Sequence, residues 1–225
     1  MKCQTIYKMM LVPFLFLFPL SVSAAMTDEV TELQHEWARI KYQVPAKDQE
    51  AAFAQLADRA DKVSEKLPGN AEALVWDGII VSTLAGAKGG LGALGLVKKA
   101  RTLFEQAIKL DPAAMHGSAY TSLGSLYYQV PSWPVSFGDK DKAQDYLTRG
   151  LELNPDGIDS NYFYGDYLLN KGDLKSAEIA FNKALQAPAR PGREVADEGR
   201  RMEIKQALAR IKSRRAEAGT KKALF

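Results

Sequence analysis

The sequence predicts an all-α protein built as a stack of antiparallel helix pairs. Three observations carry this. A recurring tail of small, large, small, then proline appears at Ala177, Phe181, Ala184, Pro188, at Ala143, Leu147, Gly150, Pro155, and at Ala100, Phe104, Ala107, Pro112. Apolar residues recur at helical spacing along most of the chain. No stretch alternates with period two for long enough to make a strand.

The opening residues stand outside this pattern. Lys2 and Lys8 precede the uncharged, apolar run 9–20, and Val22-Ser23-Ala24-Ala25 supplies small residues at cleavage spacing. This is the form of a secretory signal peptide over residues 1–25, with cleavage near Ala24 or Ala25. The run is short for a membrane span, which needs about 20 apolar residues. The sole cysteine, Cys3, lies ahead of it. The mature chain therefore has no thiol for disulfides, metal thiolates or nucleophilic catalysis. The expected product is periplasmic or secreted, with no stable membrane insertion after cleavage.

Each element follows from local signals. Thr27 caps a helix over 27–43, with Asp28 and Glu29 at its positive start and Val30, Leu33, Trp37 and Ile40 on one face. Pro45 ends it. Asp48 is expected to cap a second helix to residue 66, bearing Phe53, Leu56, Ala60 and Val63. Leu67-Pro68-Gly69-Asn70 is a stop, and Asn70 caps a third helix carrying Leu74, Trp76, Ile79 and Ile80. Residues 86–92 are expected to be too glycine-rich for regular helix. A fourth helix covers 94–110. A fifth covers 113–129, with Tyr120, Leu123 and Tyr127 on one side. Residues 131–139 form a rigid loop with Pro131, Trp133, Pro134 and Phe137. A sixth helix runs to 153 from Asp139 or Asp141. Helices 159–170 and 173–186 form a pair joined by Lys171-Gly172. After the linker 188–193, a last helix spans 194–214, its stripe being Val195, Met202, Ile204, Leu208 and Ile211. The repeat domain is thus 26–215, and residues 216–225 are expected to fray as a basic tail.

The pairs share one packing logic. Gly165, mid-way along its helix, faces Ala177 early in the next, so the backbones approach closely and Phe181 fills the space one turn on. Gly124 and Gly78 hold the matching place in the earlier pairs. Gly165 and Ala177 are 12 residues apart, Gly124 and Ala143 are 19, and Gly78 and Ala100 are 22. The surplus lies in the aromatic-proline loop and the glycine-rich loop.

This pattern resembles the tetratricopeptide repeat, a helix–turn–helix unit of about 34 residues. The resemblance implies a right-handed stack, an α-α superhelix with the first helices lining a concave face. The segment Pro134-Val135-Ser136-Phe137-Gly138-Asp139, followed by the Ala143 helix, is similar to the TRAP-transporter T-component (TatT-like) repeat proteins. Mitochondrial regulator-of-microtubule-dynamics proteins have a similar arrangement. The likeness covers roughly 70–214. T-component proteins are typically lipid-anchored, whereas no cysteine follows the apolar run here.

The resemblance places Thr121, Ser125, Tyr128 and Gln129 of one pair, and Tyr162, Asp166 and Asn170 of the next, on the concave face. Tyr and Asn suit recognition. The same tyrosines also suit packing between pairs. Trp133 joins these candidates: with Phe137, it either presents itself to a partner or, the expectation here, packs onto the repeat. The Lys and Asn pattern by which some such repeats clamp a peptide carboxylate is absent.

Other chemistry finds little support. Gly90, Gly92 and Gly95 match G-x-G-x-x-G, but a helix rather than a strand precedes them. His35 and His116 have no partners at metal-ligand spacing. No acid–base pair is marked by the sequence. We expect no enzyme activity, cofactor or metal. From Gly199 onward nine Lys or Arg face only Glu203 and Glu217, leaving the preceding chain acidic. Phe225 is the only aromatic there, which disfavours nucleic acid; the expected reading is a basic helix docked on an acidic body. Arg190, Arg193, Arg200 and Arg201 either bind an anion or pair with carboxylates such as Asp197. The expected function is an exported module recognising a peptide, partner protein or small ligand in its groove. The alternative is an accessory component of a solute transport system.

Overall fold

The computed structural model describes residues 27–223, with side chains to residue 218. The signal segment, Cys3 and the cleavage spacing lie outside the described residues. Nine α-helices are found among the described residues: α1 (Asp28–Gln43), α2 (Ala46–Lys66), α3 (Ala71–Lys88), α4 (Leu94–Leu110), α5 (Ser118–Gln129), α6 (Lys140–Leu153), α7 (Ile158–Lys171), α8 (Leu174–Leu185) and α9 (Glu194–Ala223). Each helix packs on the next in sequence through α8, and the odd-numbered helices also touch one another. The result is an all-α, tetratricopeptide-like superhelix of four helix pairs followed by α9. No described helix is long and apolar enough to cross a membrane.

The expected seam is present in all three pairs. A methyl on Gly165 would sit 3.0 Å from the Phe181 ring, one on Gly78 2.5 Å from Phe104, and one on Gly124 2.7 Å from Leu147. Ala100, Ala143 and Ala177 are fully buried at the same crossings. Glycine on the first helix and a large residue on the second are therefore one device. The insertions lengthen the connection without shifting this contact.

Caps follow the sequence at several ends. Thr27 Oγ1 accepts from Val30 N at 3.4 Å, Asn70 Oδ1 from Ala73 N at 2.9 Å, and Asp173 Oδ1 from Ser176 N at 3.0 Å. Asp139 Oδ1 accepts from both Asp141 N and Lys142 N at 3.0 Å. The start of α2 differs from expectation. Pro45 occupies the cap position with no side-chain bond, and Asp48 lies in the first turn. The polar group tying this corner is Gln49, whose amide donates to Val44 O at 2.9 Å and Lys41 O at 3.2 Å.

Two further boundaries move. α3 passes through Gly86 to Lys88, because buried Leu84 and Ala85 anchor its last turns. It ends where Gly89 and Gly90 take positive φ of 65° and 58°. α5 starts later than expected. A 3-10 turn, Ala114–Gly117, precedes it, with Met115 and His116 in left-handed backbone at φ 48° and 54°. The chain there presses on Leu153: a methyl on Gly117 would lie 2.7 Å from its side chain.

The loop before α6 corrects a further expectation. Gly138 N donates to Pro131 O at 2.9 Å and Asp139 N to Tyr127 O at 2.8 Å, so the loop closes on the end of α5. Phe137 packs as expected, edge-on to Tyr127 at 5.5 Å and under the Arg101 guanidinium at 4.6 Å. Trp133, at the loop's far end, does not pack and is 86% exposed.

The inward stripe of α9 also differs. Ala196, Asp197, Arg200, Ile204, Ala207 and Ile211 are buried, whereas Met202 lies on the outer face. The helix continues past residue 215 to Ala223. Its arginines serve the body, as the charge distribution suggests. Arg201 donates to Ala187 O at 2.8 Å and to Leu185 O, satisfying carbonyls at the end of α8. Arg215 pairs with Glu178 at 2.7 Å.

Candidate binding cavity

α9 decides the shape of the molecule. It packs on α8 and α7, then reaches α1. A methyl on Gly199 would lie 2.3 Å from the Tyr42 ring, so α9 and α1 touch almost backbone to side chain. The concave face is thereby walled on a further side, giving a partly open cavity of about 1550 Å³. Its walls are the inward faces of α1 (Trp37, Tyr42), α3 (Trp76, Thr83), α5 (Thr121, Ser125), α7 (Asp159, Tyr162) and α9 (Arg200, Glu203). The left-handed Met115 and His116 sit at its wall as well. Non-glycine residues in this region cost about 1–2 kcal/mol each, and such strain is concentrated at functional sites.

The candidate residues divide. Thr121, Ser125, Gln129 and Tyr162 line the cavity. Tyr128 and Asp166 do not, because they satisfy each other: the Tyr128 hydroxyl donates to Asp166 Oδ2 at 2.8 Å. Gln129 Nε2 donates at 3.1 Å both to Tyr128 Oη and to Ser125 Oγ. Burial pushes the Tyr128 hydroxyl well above its usual range, and the Asp166 carboxylate adds to this. The pair thus ties α5 to α7. Asn170 is exposed near the end of α7, and Trp133 is remote on its loop; neither lines the cavity.

At the α7–α9 junction lies a charge cluster. Asp159 Oδ2 accepts from Arg190 Nη1 and Oδ1 from Arg200 Nε, both at 2.8 Å. Arg190 also donates through Nε to Asp197 Oδ1 at 2.8 Å, and Arg200 Nη1 to Glu203 Oε2 at 2.6 Å. Arg200 lies over the Tyr162 ring at 4.2 Å and the Phe163 ring at 4.8 Å. Burial alone would raise the Asp159 carboxyl; Arg200, Arg190 and Arg193 outweigh it and hold it well below the usual range. Burial pushes the Tyr162 hydroxyl up to about 12, although Arg200 opposes the shift. Arg190 and Arg200 therefore pair with carboxylates, one of the two readings the sequence left open.

Trp37 and Trp76 are wall residues whose position the helical pattern conceals; Arg193, named from the sequence as one of the linker and α9 arginines, lines the wall too. Trp37 and Trp76 meet edge to face at 5.9 Å, and Trp37 Nε1 donates to Thr83 Oγ1 at 2.9 Å. In sequence both read as core-stripe residues, since a residue lining an internal cavity has the same spacing as one facing a packed core.

The fold is that of a helical-repeat protein with a large, partly open central cavity. A tetratricopeptide repeat family model matches residues 135–194. That segment covers α6, α7 and α8, where the repeat is free of insertions. The match supports a tetratricopeptide-repeat protein, a class of fold that suggests protein–protein interaction. No curated protein matches the chain.

Proposed function

We propose that the chain is an exported, non-enzymatic binding module that takes a peptide, a segment of a partner protein or a small ligand into its central cavity. The observation that carries this reading is the cavity itself. Ligand pockets commonly measure about 300–1,000 Å³, and this one is about 1550 Å³, walled by four first helices and α9. Its lining mixes aromatic area with hydroxyl and amide groups, which suits recognition. Export rests on the basic, apolar and small-residue succession of residues 1–25; the periplasm of a bacterium is the compartment that fits it.

Closure by α9 favours a second reading, an accessory component of solute transport that holds a small ligand, in keeping with the likeness to T-component proteins. The two readings differ in ligand size and share one site.

Ser122 is a half-buried cavity-wall residue on α5 suited to blocking the site. A thermal-shift screen of peptides and small metabolites should yield compounds that stabilise the wild type. A ligand at 100 times its Kd adds about 2.7 kcal/mol. Ser122→Trp, which fills the space, should lose that response while keeping its helical circular dichroism. Compounds that stabilise both proteins equally would place binding elsewhere.

A further inference from the structure

Arg193 is the unmatched cation of the cavity wall. Arg190 pairs with Asp159 and Asp197, Arg200 with Asp159 and Glu203, and Lys41 Nζ lies 3.8 Å from Glu203 Oε1. Among the described residues Arg193 forms no ion pair. Its Nη1 donates to the amide oxygen of Gln34 at 3.2 Å, and its Nε is buried with no acceptor. The guanidinium carbon stands 5.4 Å from the centre of the Trp76 ring. Trp76 is 1% exposed, and its indole N–H is likewise buried without an acceptor. Both residues line the cavity.

Buried donors without acceptors are rare in folded proteins, and a buried charge without a partner is rarer still. Two such donors, one of them charged, occupy one wall. Burial, with Arg190 beside it, depresses the Arg193 guanidinium, and the nearby Asp159 and Asp197 carboxylates offset this only in part. We propose that Arg193 and the indole N–H of Trp76 anchor a carboxylate of the cavity's ligand. A carboxylate accepts without donating and matches the fork of a guanidinium. Its single charge also fits the count. In the ion-pair cluster beside Arg193, Lys41, Arg190, Arg193 and Arg200 face Asp159, Asp197 and Glu203, which leaves one positive charge there; Glu72 and Asp111 line the cavity farther off. A phosphate monoester, carrying nearly two negative charges, exceeds it. The carboxylate belongs to a small organic acid or to a peptide C-terminus. This inference rests on the cavity being the ligand site.

The test uses the full exported chain, with tryptophan fluorescence reporting on Trp76. The probes are benzoate, lactate, tri-alanine with a free or an amidated C-terminus, and inorganic phosphate. At least one free carboxylate should bind the wild type, and Arg193→Met should weaken it by tenfold or more, with Arg193→Lys in between. Loss of tri-alanine binding on amidation assigns the carboxylate to a peptide end; binding of benzoate or lactate alone assigns it to a small acid. Without any probe, Arg193→Met should melt close to the wild-type temperature, because removing a charge that has no ion pair offsets the lost bond to Gln34. A fall of several degrees overturns the proposal, since Arg193 would then be a structural partner. Equal carboxylate binding by both proteins, preference for phosphate, or no carboxylate binding at all also overturns it. If neutral ligands bind the cavity regardless of Arg193, the anchor fails and the cavity reading stands. If nothing in the screen binds, both fail.

Discussion

Asp159 holds the α7–α9 junction through single hydrogen bonds to two arginines, and its loss leaves Arg190 with Asp197 alone and Arg200 with Glu203 alone. Removing one partner of a buried ion pair costs about 3–5 kcal/mol. Asp159 is 31% exposed, so solvent screening brings this down to about 2 kcal/mol. Asp159→Asn should lower unfolding stability by that amount at pH 7, measured by guanidinium titration. The pH dependence has a definite sign. A carboxyl held below its unfolded pKa binds fewer protons when folded, so its contribution is complete above about pH 5 and fades as pH falls through about 4 and below. The gap between wild type and Asp159→Asn should therefore narrow at pH 3; a gap that widens in acid sinks the assignment. In sequence, Asp159 looked only like an acidic residue near a helix start. Its partners lie 31 and 41 positions away, and no spacing rule joins them.

At the level of helix pairs, the glycine seams rank in severity by what a methyl would strike. On Gly165 it meets only the Phe181 ring, at 3.0 Å. On Gly124 it meets Leu147 N at 3.0 Å and Ala143 O at 3.1 Å, backbone that cannot step aside, besides the Leu147 side chain at 2.7 Å. Alanine recovers about 1 kcal/mol of helix propensity at either site, whereas overpacking costs about 1–3 kcal/mol. Gly165→Ala should be near neutral, and Gly124→Ala destabilising by about 1–2 kcal/mol. Equal effects in thermal unfolding would mean that the α5–α6 crossing relaxes freely. These seams were legible in sequence because a glycine and the large residue that covers it fall at fixed positions in one helix pair. The helices were legible for the same local reason. What failed locally was the start of α5, where Met115 and His116 take left-handed backbone just before Gly117, which lies against Leu153. Trp133 failed too, because a loop that closes its own hydrogen bonds sets its own outward face.

The molecule as a whole is closed where its last segment meets α1, through contacts that no local pattern announces. Arg193 donates to Gln34 across 159 positions of sequence, and Tyr42 to Glu203 across 161, at 3.4 Å. The concave face was legible as a consequence of the repeat, but its closure into a cavity was not. Nor was the division of the candidates into wall residues (Thr121, Ser125, Gln129, Tyr162) and a buried tie (Tyr128–Asp166). Gly199 is the point at which closure can be tested. Within α9 a glycine costs about 1 kcal/mol relative to alanine. That cost is offset because any side chain there meets the Tyr42 ring, itself set edge-on to Trp37 at 5.9 Å. Gly199→Leu should push α9 off α1 and open the cavity. The radius of gyration in small-angle scattering should rise, and tryptophan emission shift to the red as Trp37 meets water, with helical circular dichroism preserved. Adding Tyr42→Ala should restore the compact form, since it removes the ring that the leucine strikes. If Gly199→Leu stays compact with unshifted emission, α9 does not need that contact to close the cavity. If the double variant stays open, the opening has a cause other than the clash with Tyr42.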